Sequence, residues 1–181
     1  LIALPECATS LHENSTVTKE FASNEKESIS LNFFKKSAKF YSLYILVGSL
    51  PIKYKDKLVN RSFLIAPNGR VVSKYDKIHL FDVKLPNGDI FKESDTYLNG
   101  KKAIIAKIGA KNINVGMTIC YDVRFPSLYQ DLAENGAHII TVPSAFSSLT
   151  GPIHWHTLLK ARAIETGCFI IAPAQNGIHE C

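Results

Sequence analysis

The sequence has little of what would place it in several classes of protein. No apolar run is long enough to span a bilayer, because Lys, Asp or Asn interrupts each one, and the first residues show no secretory-signal pattern. The four cysteines lie far apart and form no CxxC pair; they are Cys7, Cys120, Cys168 and Cys181. Neither a disulfide framework nor a zinc cage is predicted from this spacing. We therefore expect reduced thiols, no metal, no membrane contact and a cytoplasmic location.

The chain also lacks a concentrated basic surface. Its net charge of +5 comes from 21 Lys and Arg against 16 Asp and Glu, and the basic residues are spread along the chain without interleaved aromatic residues. A solvated surface explains this better than a nucleic-acid interface, so nucleic acid is not an expected partner. With 181 residues and 46% hydrophobic content, residues 1–181 are long enough for one domain with a substantial core.

Apolar periodicity predicts an α/β layer protein. Strands are predicted at 1–4, 43–50, 62–66, 70–74, 103–108, 113–119, 138–142 and 168–172. Asn68 and Gly69 favour a hairpin turn between two of them, and such hairpins make a mixed sheet more probable than a wholly parallel one. Residues 7–23 and the loop around 86–88 are predicted to be irregular.

Helices are predicted at three places. Asn24 and Glu27 form a capping box at the start of the first helix, and its predicted apolar stripe contains Ile29, Phe33, Phe34, Phe40 and Tyr41. Two further helices, at 126–136 and 151–167, have Pro in the first turn and Gly at or just past the end.

Cys120 stands where the apolar run 113–119 meets a polar turn that ends at Pro126. A thiol there has its backbone fixed by a sheet and its sulfur at the loop side, where rigid scaffolds present reacting groups. By position alone, a packed thiol that acts as a small hydrophobe is the commoner arrangement. Other residues must decide between a nucleophile and a core thiol.

Glu6, Lys77 and Glu93 lie at comparable positions near predicted strand ends. If their strands are neighbours, Glu6, Lys77 and Cys120 meet at one edge of a sheet. A thiol ordinarily titrates near about 8.5 and needs a base, which Glu6 can provide. Lys77 and the backbone N–H after the nucleophile can stabilise a tetrahedral oxyanion. Each residue alone has a structural explanation, and their joint order is what favours a catalytic site.

Four segments follow one another in a fixed order, at 4–6, 75–83, 93–94 and 119–126. In this order they resemble the signatures of the nitrilase (carbon–nitrogen hydrolase) superfamily. Four later segments, at 143–146, 150–155, 158–165 and 174–179, resemble the deaminated glutathione amidase branch, which is close to ω-amidase.

The resemblance implies an α/β fold, a four-layer α-β-β-α sandwich, incomplete at both ends, so that residues 1–181 are a partial carbon–nitrogen hydrolase domain. It implies amide hydrolysis without metal or cofactor, acting on a small-molecule amide in at least a homodimer. By motif match, Cys120 is the nucleophile, Glu6 the general base and Lys77 the oxyanion-stabilising residue. Glu93 matches a second, supporting glutamate, and the Tyr121 amide completes the oxyanion hole.

Arg124 and Phe146 are the candidate substrate-binding residues. Arg124 can anchor an anionic group or pair with a nearby carboxylate, and Phe146 can line the pocket or belong to the core. Two positions depart from the family pattern: His156 replaces an acidic residue, and Lys160 stands where the bidentate donor Arg is commoner. Cys7 is interpreted as a packed thiol.

Two histidine-based alternatives are weaker. His79 could pair with Cys120 as in thiol proteases, but no cysteine motif of those proteases is present. A metal site could use His154 and His156, or residues 179–181, but residues two apart on a helix point in different directions.

The preferred function is hydrolysis of deaminated glutathione through a cysteine thioester. Catalytic residues do not encode the substrate, so an ω-amide of a 2-oxo acid or an N-carbamoyl compound stays an alternative. A non-catalytic binding or assembly subunit is the third alternative.

Overall fold

The computed structural model describes residues 1–12, 15–85, 87–109, 111 and 113–177. The strands within these residues are β1 (Ile2–Ala3), β2 (Ile45–Tyr54), β3 (Lys57–Ile65), β4 (Val71–Asp76), β5 (Asp82–Lys84), β6 (Ile90–Lys92), β7 (Ile104–Ile108), β8 (Ile113–Met117), β9 (Ile139–Thr141) and β10 (Phe169–Ile171). The helices are α1 (Ser15–Phe21), α2 (Ile29–Tyr41), α3 (Pro126–Glu134) and α4 (Gly151–Thr166), with short 3-10 turns at Glu93–Asp95 and Cys120–Arg124.

The longer strands form two mixed sheets. The first has the order β1-β2-β3-β4, in which β1 is parallel to β2 and the other pairs are antiparallel. The second has the order β10-β9-β8-β7, in which only the β7–β8 pair is antiparallel. Strands β5 and β6 form a separate small hairpin. The prediction of mixed pairing is confirmed.

Three apolar clusters hold the layers together. Side chains between the two sheets include Leu46, Leu64, Tyr75, Val115 and Met117. Helix α2 covers the outer face of the first sheet with Leu31, Phe34 and Ala38. Helix α3 covers the outer face of the second sheet with Leu128, Tyr129 and Leu132. The order helix, sheet, sheet, helix is the predicted four-layer α-β-β-α sandwich, which is confirmed.

The apolar stripe predicted for α2 is wrong. Most of its members face away from the sheet, with exposed fractions of 87% for Ile29, 62% for Phe33, 81% for Phe40 and 66% for Tyr41. The buried positions are Leu31, Phe34 and Ala38, which are spaced three and four residues apart. Leu31, Phe34 and Ala38 fill the space against the sheet, whereas the other large apolar residues that dominated the sequence pattern are exposed.

The start of α2 also differs from the prediction. The N-cap is Ser28, whose Oγ accepts the N–H of Leu31 at 3.1 Å, and this bond satisfies one of the free amides of the first turn. Asn24 and Glu27 bond to each other at 3.1 Å in the turn before the helix. Helices α3 and α4 agree with prediction, and α4 is capped by Gly167 at a φ of 67°.

Two segments predicted to be irregular contain regular structure. Helix α1 lies within residues 7–23, and the β5–β6 hairpin surrounds the loop 86–88, in which Pro86 lies outside the described residues. Strand β3 begins at Lys57 rather than at residue 62. The polar residues Asn60 and Arg61 interrupt the apolar pattern in its first half, so that half was not predicted as a strand. In the part of the chain that the structure describes, no helix has the length and apolar character needed to cross a bilayer.

Candidate active site

Glu6, Lys77 and Cys120 meet at one end of the sandwich. Glu6 follows β1, Lys77 follows β4 directly, and Cys120 follows β8. The Nζ of Lys77 lies 2.9 Å from Oε1 of Glu6, and their side chains are only 3% and 6% exposed. The Cys120 thiol is close enough to interact electrostatically with both the Glu6 carboxylate and the Lys77 ammonium group. The structure therefore brings the three predicted catalytic residues together, while their chemical roles remain predictions.

Glu93 and Asn60 complete the buried cluster. The Nζ of Lys77 contacts Oε2 of Glu93 at 2.9 Å, and that oxygen also accepts the N–H of Phe81 at 2.7 Å. The Nδ2 of Asn60 donates to Glu6 at 2.9 Å and to Glu93 at 3.1 Å. Asn60 therefore links the two carboxylates that surround Lys77.

Sequence reasoning missed Asn60. It lies in the middle of β3 and is 4% exposed, although asparagine is depleted in strand interiors. A buried amide at such a position needs hydrogen-bond partners, and this conflict was the signal that could have identified it.

The position of Glu6 depends on the close approach of two backbone segments, β2 and the segment that follows β1. A Cβ atom on Gly48 in β2 would lie 2.1 Å from the carbonyl oxygen of Leu4, so only glycine allows the segment after β1 to pass there. The N–H of Cys7 donates to Oγ of Ser49 at 2.9 Å, and Nε2 of Gln175 donates to the carbonyl of Glu6 at 2.9 Å. The Glu6 backbone is thus held from both sheets.

Cys120 has an unusual backbone conformation. Its φ is +46°, in the left-handed region that side chains with a Cβ disfavour. Its N–H donates to the carbonyl of Pro143 at 2.9 Å, which ties the turn to the end of β9. The strand therefore ends abruptly, and the thiol is presented at the cavity instead of continuing the alternation of the sheet.

The cluster sets the protonation of its members. Burial raises the pKa of the Cys120 thiol well above its ordinary value, and the Glu6 carboxylate raises it further while Lys77 opposes this. Burial lowers the pKa of Lys77, but the carboxylates of Glu6 and Glu93 outweigh that effect and hold the pKa well above its usual range. At neutral pH the resting site therefore contains a neutral thiol beside a charged ammonium group.

The cluster lies at a cavity of about 760 Å³. Tyr121 lines this cavity, and its ring packs against Phe81 at 5.1 Å and Phe125 at 5.4 Å between ring centroids. The guanidinium group of Arg124 lies 5.5 Å above the ring of Phe146, and both residues also line the cavity. Both candidate substrate-binding residues are therefore placed where a ligand could reach them.

The surroundings of Arg124 decide between two sequence-based interpretations. Its Nη2 contacts Nδ1 of His154 at 3.1 Å, and no ion pair found among the described residues includes Arg124. The alternative in which a neighbouring carboxylate neutralises this arginine has no support there. The same contact gives His154, which lies on α4, a structural partner in Arg124.

The histidine-based alternatives find little support in the geometry. Nδ1 of His79 contacts Asp122 at 2.8 Å, which directs that nitrogen away from a dyad with Cys120. Across the described ranges, no group of three or more His, Cys, Asp and Glu side chains is placed to hold a metal ion. His179, Glu180 and Cys181 lie outside the described residues.

A glutamate, a lysine and a cysteine buried at one end of an α-β-β-α sandwich define a class, that of the carbon–nitrogen hydrolases. A family model described as carbon-nitrogen hydrolase matches residues 1–180, and the chain belongs to this family. The resemblance to the nitrilase superfamily that the motifs indicated is confirmed.

Known proteins show the same likeness. The chain is 44% identical over 150 residues to a deaminated glutathione amidase of Synechocystis sp., which covers 81% of this chain and 55% of that protein. It is 36% identical over 182 residues to the omega-amidase NIT3 of Saccharomyces cerevisiae, which covers 97% of this chain and 62% of that protein. The crystal structure of Saccharomyces cerevisiae Nit3 superposes with a TM-score of 0.81 at 32% identity, over 96% of this chain and 62% of that chain. The chain thus spans less than two thirds of the length of these relatives.

Proposed function

We propose that this protein is a cysteine amidase that hydrolyses a small carboxamide, with deaminated glutathione as the preferred substrate. One observation carries the proposal: the Cys120 thiol lines the same cavity as the buried pair of Glu6 and Lys77 and interacts electrostatically with both. A base, a nucleophile and a fixed positive charge at one cavity are the groups that acyl transfer requires.

The first step forms a thioester. Because the resting thiol is neutral, its proton passes to the Glu6 carboxylate as the sulfur attacks the amide carbon. The C=O π pair moves to oxygen, and the resulting oxyanion accepts hydrogen bonds from Lys77 and from the backbone N–H of Tyr121. The tetrahedral intermediate collapses when Glu6 returns the proton to the amide nitrogen, and the acyl group stays on Cys120. The group that leaves is the amine cysteinylglycine from deaminated glutathione and ammonia from an ω-amide such as 2-oxoglutaramate.

The second step releases the acid. Glu6 takes a proton from a water molecule, whose oxygen attacks the thioester carbon, and the C–S bond breaks as the proton returns to sulfur. Glu93 contacts Lys77, and Asn60 donates to Glu6 and Glu93, so we assign both residues the role of keeping the two reacting groups in place. For each water consumed, the products are one carboxylic acid and one amine from deaminated glutathione, or one carboxylic acid and one ammonia from 2-oxoglutaramate.

Arg124 supports an anionic substrate. A cation at the cavity wall without a carboxylate partner among the described residues favours a ligand that carries a carboxylate away from its amide. Deaminated glutathione has such groups, and so has 2-oxoglutaramate, the ω-amide that the likeness to an omega-amidase favours as second candidate. Both substrates place a neutral amide at Cys120 and an anion towards Arg124.

Formation of 2-oxoglutarate, the acid product common to both amides, tests the proposal, with cysteinylglycine from deaminated glutathione and ammonia from 2-oxoglutaramate as the second products. The chain is incubated with each amide, in parallel with Cys120→Ala and with Cys168→Ala as the matched control. Removing the nucleophile should reduce turnover by about 10³-fold or more, whereas the core thiol should be dispensable. Formation of 2-oxoglutarate by Cys120→Ala at the wild-type rate would exclude the thioester mechanism, and no product from any of the proteins would favour a binding subunit.

A further inference from the structure

Asp122 is a fully buried carboxylate next to the proposed nucleophile. Its exposed fraction is 0%, and it accepts four hydrogen bonds. Oδ2 accepts the hydroxyl of Tyr75 at 2.7 Å and the N–H of Ile119 at 2.9 Å. Oδ1 contacts the N–H and Nδ1 of His79 at 3.0 and 2.8 Å. A carboxylate with two bonds on each oxygen is fully satisfied, so its position is tightly defined.

The partners of Asp122 come from two different segments. Tyr75 and His79 stand two residues before and two residues after Lys77, while Ile119 stands directly before Cys120. We propose that Asp122 is a positioning residue whose hydrogen bonds hold the Cys120 turn against the Lys77 segment. It would thereby fix the nucleophile relative to the oxyanion-stabilising ammonium group. This proposal rests on the proposed function.

The backbone conformation of Cys120 shows why the hydrogen bonds of Asp122 are needed. A residue with a Cβ at a φ of +46° is strained, and strain persists only where the surroundings over-determine it. On one side the Ile119 N–H is held by Asp122, and on the other the Cys120 N–H is held by Pro143. Without the first bond, the turn can relax and the sulfur can leave its position beside Lys77.

His79 closes the network on the side of the cavity. A carboxylate only accepts hydrogen bonds, so Nδ1 of His79 carries the proton that points at Asp122. The imidazole ring also stacks on Phe125, with 3.6 Å between ring centroids and an angle of 7° between planes. Since Phe125 is in the same turn region as Cys120, the ring is a second contact between the Lys77 segment and the turn.

Two variants in the full chain test this role. Asp122→Asn keeps the size but places an NH₂ group against two of the donors. It should lower kcat for amide hydrolysis by about 100-fold with KM changed by less than about threefold, because misplacement of about 1 Å at a reacting group has this effect. Tyr75→Phe removes one of the four bonds at constant ring size and should lower kcat about tenfold.

Thr141→Val is the control for loss of stability alone. It removes a buried hydroxyl that bonds the carbonyl of Gly116 at 3.3 Å in the same sheet. Its kcat should stay at the wild-type value even where its urea midpoint falls as far as that of Tyr75→Phe. Equal losses of kcat in these two variants, or an unchanged kcat in Tyr75→Phe, would overturn the proposal, and this comparison decides even where Asp122→Asn fails to fold.

Alkylation of Cys120 separates this proposal from the proposed function. The rate of its reaction with iodoacetamide, followed by peptide mass spectrometry against pH, requires no turnover. The midpoint of that profile should move in Tyr75→Phe and Asp122→Asn and stay in place in Thr141→Val. If the wild-type protein hydrolysed neither amide, the proposed function would fail, and the alkylation profile would still decide whether Asp122 positions Cys120.

Discussion

Cys120 and Cys168 occupy two regions that look alike by burial. Both residues flank strands of the second sheet, Cys120 after β8 and Cys168 before β10, and they are 9% and 7% exposed. Because β8, β9 and β10 run parallel, the two residues lie at opposite ends of that sheet. Their surroundings differ in charge. The thiol of Cys168 donates to the carbonyl of Ala137 at 3.0 Å within an apolar cluster, whereas Cys120 lies beside Glu6 and Lys77.

The difference shows what separates a packed thiol from a candidate nucleophile. Both thiols are buried, so burial alone cannot distinguish them. A proton acceptor and a fixed cation are present only around Cys120, and they provide a destination for the thiol proton and a partner for new negative charge. The strained φ of Cys120 then aims the sulfur at the cavity. The proposal for Cys120 therefore depends on its charged neighbours.

The largest effect is expected from removing the ammonium group of Lys77, which distinguishes the surroundings of Cys120 from those of Cys168. Lys77→Met leaves Glu6 and Glu93 as buried carboxylates without the ammonium group between them. We expect turnover to fall about 10³-fold, because a preorganised oxyanion partner is lost. The free energy of unfolding should fall by roughly 3–5 kcal/mol, because one partner of a buried ion pair is removed. Formation of 2-oxoglutarate and urea unfolding measure the two effects.

Lys74→Met is the matched control for that variant. Lys74 also pairs with a glutamate, Glu25, at 2.9 Å, but its side chain is 51% exposed. Loss of such a pair should change stability by at most about 1 kcal/mol and leave turnover unaffected. If Lys77→Met retained more than about a tenth of wild-type turnover, the charged surroundings would not explain what distinguishes Cys120.

The sequence supported the layers and the proposed catalytic residues because both depend on local patterns. Apolar runs, the Pro and Gly at helix ends, and the ordered Glu6, Lys77 and Cys120 segments are all readable without coordinates. The orientation of α2 could not be read from the sequence, because helical periodicity identifies apolar stripes without showing which of them faces a sheet. Phe33 and Phe40 fit the helical period as well as the buried Leu31 does.

The partners of two buried polar residues, Asn60 and Asp122, could not be predicted. Asn60 is 54 residues from Glu6 and 33 from Glu93 in the chain, and it is meaningful only once β3 lies between them. Asp122 is 47 residues from Tyr75, and in the sequence it reads as an ordinary turn aspartate. Their partners are set by the packing of two sheets, which no local pattern encodes.

A smaller effect is expected in the pH dependence of alkylation. The pKa of Cys120 is raised by burial and by Glu6, so its reaction rate with iodoacetamide should still be rising at pH values where an ordinary thiol, near about 8.5, has levelled off. Cys168 is buried and is not among the residues that line the Cys120 cavity. Its alkylation rate should therefore depend on local opening of the fold. Peptide mass spectrometry between about pH 6 and 10 resolves both rates, and a Cys120 plateau below the ordinary thiol value would contradict the expectation.

The same raised pKa has a consequence for stability. A group that binds its proton more tightly in the folded state contributes stability that is complete below its unfolded pKa, about 8.5 for a thiol, and is lost as pH rises above that value towards the folded pKa. The free energy of unfolding should therefore decline at alkaline pH, and Cys120→Ala should weaken the decline. A Cys120→Ala curve parallel to that of the wild type would show that this thiol is not linked to folding.

The smallest effect belongs to Cys168. Cys168→Ala loses a hydrogen bond to Ala137 and a buried sulfur, which should cost about 1–2 kcal/mol in urea unfolding, while Cys168→Ser keeps a donor for the same carbonyl. Turnover per folded molecule should be equal in all three proteins, because Cys168 has no part in the charged cluster. If turnover instead fell with the loss of this thiol, burial at a strand end would influence catalysis without charged neighbours, and the distinction between the two cysteines would have to be drawn elsewhere.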